Sequence, residues 1–110
     1  MNIKNLSMKK KSILKQIAGL GQLRKGNITF QMVETKNKKG KMVKRGPYPL
    51  YSYKKKNKTI SKRIRLAQVE EYQKQINEFH KFKRLTTELV EINQQISDIL
   101  ILENDDEKKT

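Results

Sequence analysis

Hydrophobic residues recur along this chain with two different periods, and the change between them divides it. Ile3, Leu6, Ile13, Ile17 and Leu20 fall three, four or seven apart, which places them on one face of a helix over residues 3–20. Asn5 or Ser7 is positioned to cap its start, and Gly19, Gly21 and Gly26 mark its end and the turn after it. Over residues 27–35 the period drops to two: Ile28, Phe30 and Met32 alternate with Thr29, Gln31 and Val33, the pattern of a strand. A second strand is expected over 47–55, with Pro47 and Pro49 at its beginning where a missing donor does least harm. A third is expected over 58–64. Lys56-Asn57 is the expected hairpin tip, because Asn tolerates the left-handed backbone such turns require.

From residue 66 the period lengthens again. Val69, Tyr72, Ile76, Phe79, Phe82, Leu85, Leu89, Ile92, Ile96 and Ile99 follow one another at spacings of 3-4-3-3-3-4-3-4-3, a heptad-like seam. No Gly or Pro interrupts residues 66–103, so one amphipathic helix of about 55 Å is expected, at ~1.5 Å per residue. Such a helix outruns a small sheet. Its far part, with Leu85, Leu89, Ile92, Ile96 and Ile99, needs a second partner: the first helix folded back as an antiparallel hairpin, or another copy in a coiled-coil dimer. The fold class is therefore α+β, one domain over 1–103. It comprises a helix and turn (1–26), a basic three-stranded antiparallel sheet (27–65) and a long helix (66–103), followed by a flexible tail at 104–110.

Charge sharpens this division. The 110 residues carry a formal net charge of +15, but residues 1–65 hold 20 Lys or Arg against the single acid Glu34, while residues 66–110 hold 6 cations against 10 acids. A compact segment so positive repels itself unless a polyanion or counterions neutralise it, which makes nucleic acid the first expected partner, ahead of an anionic membrane surface or an acidic protein. The candidate contacts fall in three groups. In an expected loop over 36–45 they are Lys38, Lys39, Lys41, Lys44 and Arg45. At the second hairpin they are Lys54, Lys55, Lys56 and Lys58. On the third strand they are Thr59, Ser61, Lys62, Arg63 and Arg65, with Thr59, Ser61, Arg63 and Arg65 expected on one face and Ile60 and Ile64 on the other. Arg grips phosphate or reads guanine, and Ser and Thr bond phosphates or base edges. Tyr48, Tyr51 and Tyr53 lie beside these cations as stacking residues for bases, or as packing beneath the sheet.

The sequence argues against catalysis. Metal-dependent nucleases need clustered carboxylates, and the basic half offers only Glu34. No Gly-rich phosphate loop ending in Lys-Ser/Thr occurs, and the chain is too short for a tyrosine recombinase core. No Cys is present, which excludes disulfides and thiolate zinc sites, and His80 has no second ligand at a metal-binding spacing. No metal, cofactor or catalytic residue is expected. The longest apolar run, Ile99-Leu100-Ile101-Leu102, is too short for a bilayer, and no apolar stretch of signal-peptide length follows the basic N-terminus. The expectation is a cytoplasmic protein without a membrane partner.

The run Arg45-Gly-Pro-Tyr-Pro-Leu-Tyr-Ser-Tyr, then Lys58-Thr-Ile-Ser-Lys-Arg, then a long helix from near Gln68, resembles a group of small bacterial and archaeal proteins of unassigned function. Their marks are a Gly-Pro-Tyr-Tyr strand, a basic hairpin, a Thr-x-Thr/Ser-Arg/Lys-Arg strand and a long Glu-rich helix. The resemblance covers roughly residues 27–100 and rests on Gly46, Pro47, Tyr48, Tyr51, Lys58, Thr59, Ser61, Lys62 and Arg63. It implies the fold and an association with mobile elements, but lends no activity. Pro49 stands where a second Tyr is usual. The Cys cluster common before the Gly-Pro-Tyr segment is missing, so no metal role carries over. In architecture, three short antiparallel strands followed by a helix are similar to the arm-binding domains of phage-type integrases, which lay a sheet in the DNA major groove. DNA is accordingly the first expectation, RNA or ribosome binding the second, and a partner protein recruited by the long helix the third.

Overall fold

The structure, a computed structural model, describes the backbone of residues 2–109 and the side chains of residues 2–105. The element order is α1 (Ile3–Ala18), β1 (Asn27–Lys36), β2 (Met42–Lys55), β3 (Lys58–Arg63), a 3-10 turn (Leu66–Gln68) and α2 (Val69–Lys109). The three strands form one antiparallel sheet in the order β1-β2-β3, so the fold is α+β.

The start of α1 is capped by Asn2, whose side-chain oxygen accepts the Asn5 N–H at 2.9 Å. Neither Asn5 nor Ser7 serves as cap, because the helix already includes Ile3 and places both inside its first turns. Helix α2 continues past residue 103 through Lys109; Glu103-Asn104-Asp105 and the residues after them contain no Gly or Pro to stop it, so the segment expected as a tail extends the helix.

Strand β2 is longer than its periodicity suggests. It begins at Met42, where Lys36 pairs with Met42 and Thr35 with Val43, and the register shifts by one residue between the pairs Val33–Arg45 and Gln31–Tyr48. The extra residue falls on β2 at Gly46-Pro47, a cis peptide, and breaks the alternation that would have announced the strand. Gly46 has φ +123°, and a Cβ there would lie 2.8 Å from the Gln31 carbonyl oxygen. The turn before β2 is organised by Asn37, whose side-chain oxygen accepts the N–H groups of Lys39 at 2.9 Å and Lys41 at 3.0 Å. The second hairpin turns at Lys56 and Asn57 with φ of 51° and 65°, both left-handed as a two-residue hairpin loop requires.

The chain divides into two compact units. In the sheet unit, Gln22–Phe79, the core is Tyr51, Ile64 and Ile76, with Ile28, Tyr53, Val69 and Tyr72 packed around it. The helical unit joins α1 to the part of α2 from His80 onward and buries Leu6, Ile13 and Leu85, with Leu6 only 1% and Leu85 only 2% exposed. Each such side chain contributes ~1.5–3 kcal/mol of burial free energy. A shallow groove in this unit is lined by Ile13 and Lys9 of α1 and by Glu88, Glu91 and Ile92 of α2. The first helix therefore shares its core with the far part of the long one within a single chain. Leu89, Ile92, Ile96 and Ile99 are half-buried, while Leu100, Ile101 and Leu102 are exposed.

Candidate nucleic-acid interface

Alternation along β3 gives the sheet two chemically different faces. Ile60, Lys62 and Ile64 lie on the side of α2, whereas Thr59, Ser61 and Arg63 lie on the opposite, outer face. Their cross-strand partners carry that face across the sheet: Thr59 opposite Lys54, Ser61 opposite Ser52, Arg63 opposite Leu50, and then Asn27 and Thr29 on β1. The Ser52 and Ser61 hydroxyls are 2.8 Å apart and bonded to each other. The Arg63 guanidinium lies over the Tyr48 ring, 4.1 Å from its centroid. Such stacking holds a planar cation flat over a half-buried ring while leaving its donors toward solvent. Glu34, the only acid of the sheet, belongs to the other face by the alternation of β1. No carboxylate therefore stands among Thr59, Ser61, Arg63 and their neighbours.

Cations gather at both ends of this sheet. Lys38, Lys39 and Lys41 occupy the β1–β2 turn. Lys54, Lys55, Lys56 and Lys58 crowd the β2–β3 turn, with Lys55 and Lys58 directly paired. Lys44 and Arg45, expected in a loop, are strand residues opposite Glu34 and Val33, because β2 starts earlier than expected. The 14 residues of β2 that separate the two turns span at most about 45 Å, at ~3.3 Å per residue.

Several of the candidate contact residues lie off the outer face. Arg65 leaves the row: it is the residue that precedes the 3-10 turn, its backbone N–H donating to Gln68 Oε1 at 3.0 Å, so the outer face ends at Arg63. Lys62 belongs to the face of α2, with its ammonium 5.7 Å from the Tyr72 ring centroid. Tyr51 is not available to stack on a base. It is 3% exposed, its ring meets Tyr72 edge-on at 5.1 Å, and its hydroxyl donates to the Lys25 carbonyl. Tyr53 is half-buried and stacked on Tyr51 at 5.4 Å. Only Tyr48 stands on the outer face.

Sequence reasoning passed over Arg24. Its guanidinium sits 4.2 Å from the Tyr72 ring centroid and 5.2 Å from that of Tyr51, and its Nε donates to Gln75 Oε1 at 2.9 Å. Nothing local marks it, since the residues that hold it are 27, 48 and 51 positions away. Among the described residues no three of His, Asp or Glu come together as a metal-binding group, and His80 is exposed. No helix among them is long and apolar enough to cross a membrane.

The chain matches no protein-family model, no curated protein and no solved structure. The site must therefore be read from its own geometry, as an acid-free, polar and cationic face on a small antiparallel sheet.

Proposed function

We propose that the protein binds duplex DNA through the outer face of its sheet, without catalysing a reaction. The observation that carries this reading is the row Thr59, Ser61 and Arg63, with Tyr48 under the arginine, on a face that holds no acid and is flanked by lysine-rich turns at both ends. Neighbouring strands lie ~4.8 Å apart, so three span about 10 Å, a width that a major groove of about 12 Å admits. Arg63 is then placed for base edges or phosphates, Ser61 and Thr59 for either, and the two lysine turns for phosphates flanking the groove. RNA recognition by stacking on loop bases is the weaker reading, because Tyr51 is in the core and Tyr53 is half-buried against it.

The test is a titration of labelled duplex DNA, single-stranded DNA and structured RNA at three salt concentrations, beside Arg63→Glu. Saturable duplex binding is expected. Six phosphate contacts would lower affinity by about three decades between 50 and 200 mM salt. A preference for structured RNA would transfer the reading to RNA. Absence of any polymer binding below about 10 µM at 100 mM salt, beside a protein partner captured by α2, would replace it with a recruiting role for the long helix.

A further inference from the structure

Beside the opposite face of the same sheet lies a second concentration of cations, which shares only Lys54 and Lys55 of the β2–β3 turn with the proposed DNA contacts. A cleft of about 400 Å³ opens beside the tyrosine core, between residues 23–25 and the end of β2. Arg24, Lys25, Lys54, Lys55 and Lys62 line it, together with Tyr51 and Tyr53, and no Asp or Glu does. Five cations around one concave surface repel one another, and an anion seated among them would relieve that repulsion.

The arrangement differs from a solvated lysine patch in one respect. Arg24 is half-buried and held by both Tyr51 and Tyr72 rings, by its Nε bond to Gln75, and by its backbone N–H, which donates to the Gln75 carbonyl at 3.1 Å. Gln75 is itself held by Glu71, with Nε2 donating to Oε1 at 3.2 Å. The guanidinium is thus fixed before any ligand arrives, so little rotamer entropy remains to be lost on binding, and its unused N–H donors suit the oxygens of a phosphate. The cleft is too small for a duplex groove. Its volume lies at the low end of ligand sites, which matches a few phosphate groups in sequence.

We infer that this cleft is a second phosphate-binding site, taking the phosphates of a nucleic-acid strand or of a free oligophosphate, on the face of the sheet opposite Arg63. It rests on the DNA reading only in naming nucleic acid as one source of those phosphates.

The experiment follows backbone amide resonances of the full chain during titration with tripolyphosphate, and separately with a short single strand of DNA. Tripolyphosphate is expected to shift residues 23–25, 53–55 and 62 saturably while sparing Thr29, Tyr48 and Ser61. The exposed-residue variant Lys25→Gln/Lys55→Gln/Lys62→Gln should bind about tenfold more weakly or worse. Arg24→Gln serves as a second variant, read beside its thermal midpoint because Arg24 also packs on two rings. A strand that shifts the same amides and is displaced by tripolyphosphate identifies nucleic acid as the source; a strand that leaves them unmoved while tripolyphosphate saturates them identifies a free oligophosphate. Shifts spread over every lysine-rich segment without saturation, or a triple variant that binds like the parent, would overturn the inference. Saturation of the cleft in a protein that binds no duplex would remove the DNA reading and leave this site standing.

Discussion

In the helical unit, α1 brings Lys4, Lys9, Lys10, Lys11 and Lys15 alongside a stretch of α2 that holds Glu88, Glu91, Asp98, Glu103 and Asp105 and, from residue 85 to 107, no cation. In the sheet unit, 16 Lys or Arg meet only 4 acids, three of which (Glu70, Glu71 and Glu78) lie at the beginning of α2 and none on the outer sheet face. Both units rest on small cores, Leu6, Ile13 and Leu85 in one, Tyr51, Ile64 and Ile76 in the other. What separates them is the use of charge. The helical unit holds 10 cations against 7 acids, so most of its charge is balanced, whereas the 16 cations of the sheet unit are largely unbalanced. Of the net charge of +15, +12 lies in the sheet unit and +3 in the helical unit, so nucleic-acid binding, if it follows the proposed reading, should respond far more to substitutions in the former.

The largest expected effects test whether the two cores are equivalent. Leu85→Ala and Ile76→Ala should each cost ~3 kcal/mol, within the range for a buried aliphatic side chain, measured by urea unfolding. Hydrogen exchange should show protection falling first in α1 and the far part of α2 for the former, and first in the sheet for the latter. Equal loss throughout by both variants would make the units one cooperative structure. Gly26→Ala comes next. Gly26 has φ +108°, and a Cβ would lie 2.2 Å from the Ser52 carbonyl oxygen, so a loss of about 2–3 kcal/mol is expected, confined to the sheet unit.

Arg63→Glu should lower duplex affinity by about 1–3 kcal/mol with little change in thermal midpoint, whereas Lys9→Glu in the helical unit should leave binding nearly unchanged; a gel shift at fixed salt compares them directly. Equal losses from both would mean that net charge alone, and not the outer face, governs binding. Asn2→Ala removes the cap of α1 and should cost ~1 kcal/mol, read from helix content on heating. The smallest effect is a gain. Lys56→Asn should stabilise the β2–β3 turn by about 0.5 kcal/mol, because Asn accepts the left-handed φ of 51° more readily than Lys.

Much of this fold is legible in local pattern. The helix of residues 3–18, the strands near 28 and 60, the hairpin tip at Lys56-Asn57 and the long seam from Val69 each announce themselves within a window of a few residues. The row Thr59, Ser61, Arg63 was visible for the same reason, since alternation alone separates it from Ile60 and Ile64. The first part of β2 was hidden. Met42-Val43-Lys44-Arg45 is half charged, and the bulge at Gly46-Pro47 shifts the alternation by one residue, so its pairing with β1 shows only when both strands are present. Arg65 was misplaced because the strand ends two residues before it, at a turn set by Gln68.

By itself, then, the sequence determined the periods, the turns and the uneven distribution of charge, because helix and strand spacing, Gly and Asn conformations and residue charge are local properties of the chain. Tertiary structure decided which side of each element is covered. It buried Tyr51 under α2 while leaving Tyr48 beneath Arg63, gave α1 the far part of α2 as its partner, and clamped Arg24 between Tyr51 and Tyr72. Those choices depend on contacts between residues tens of positions apart, and a periodicity of two or of three and a half carries no record of which distant surface will meet it.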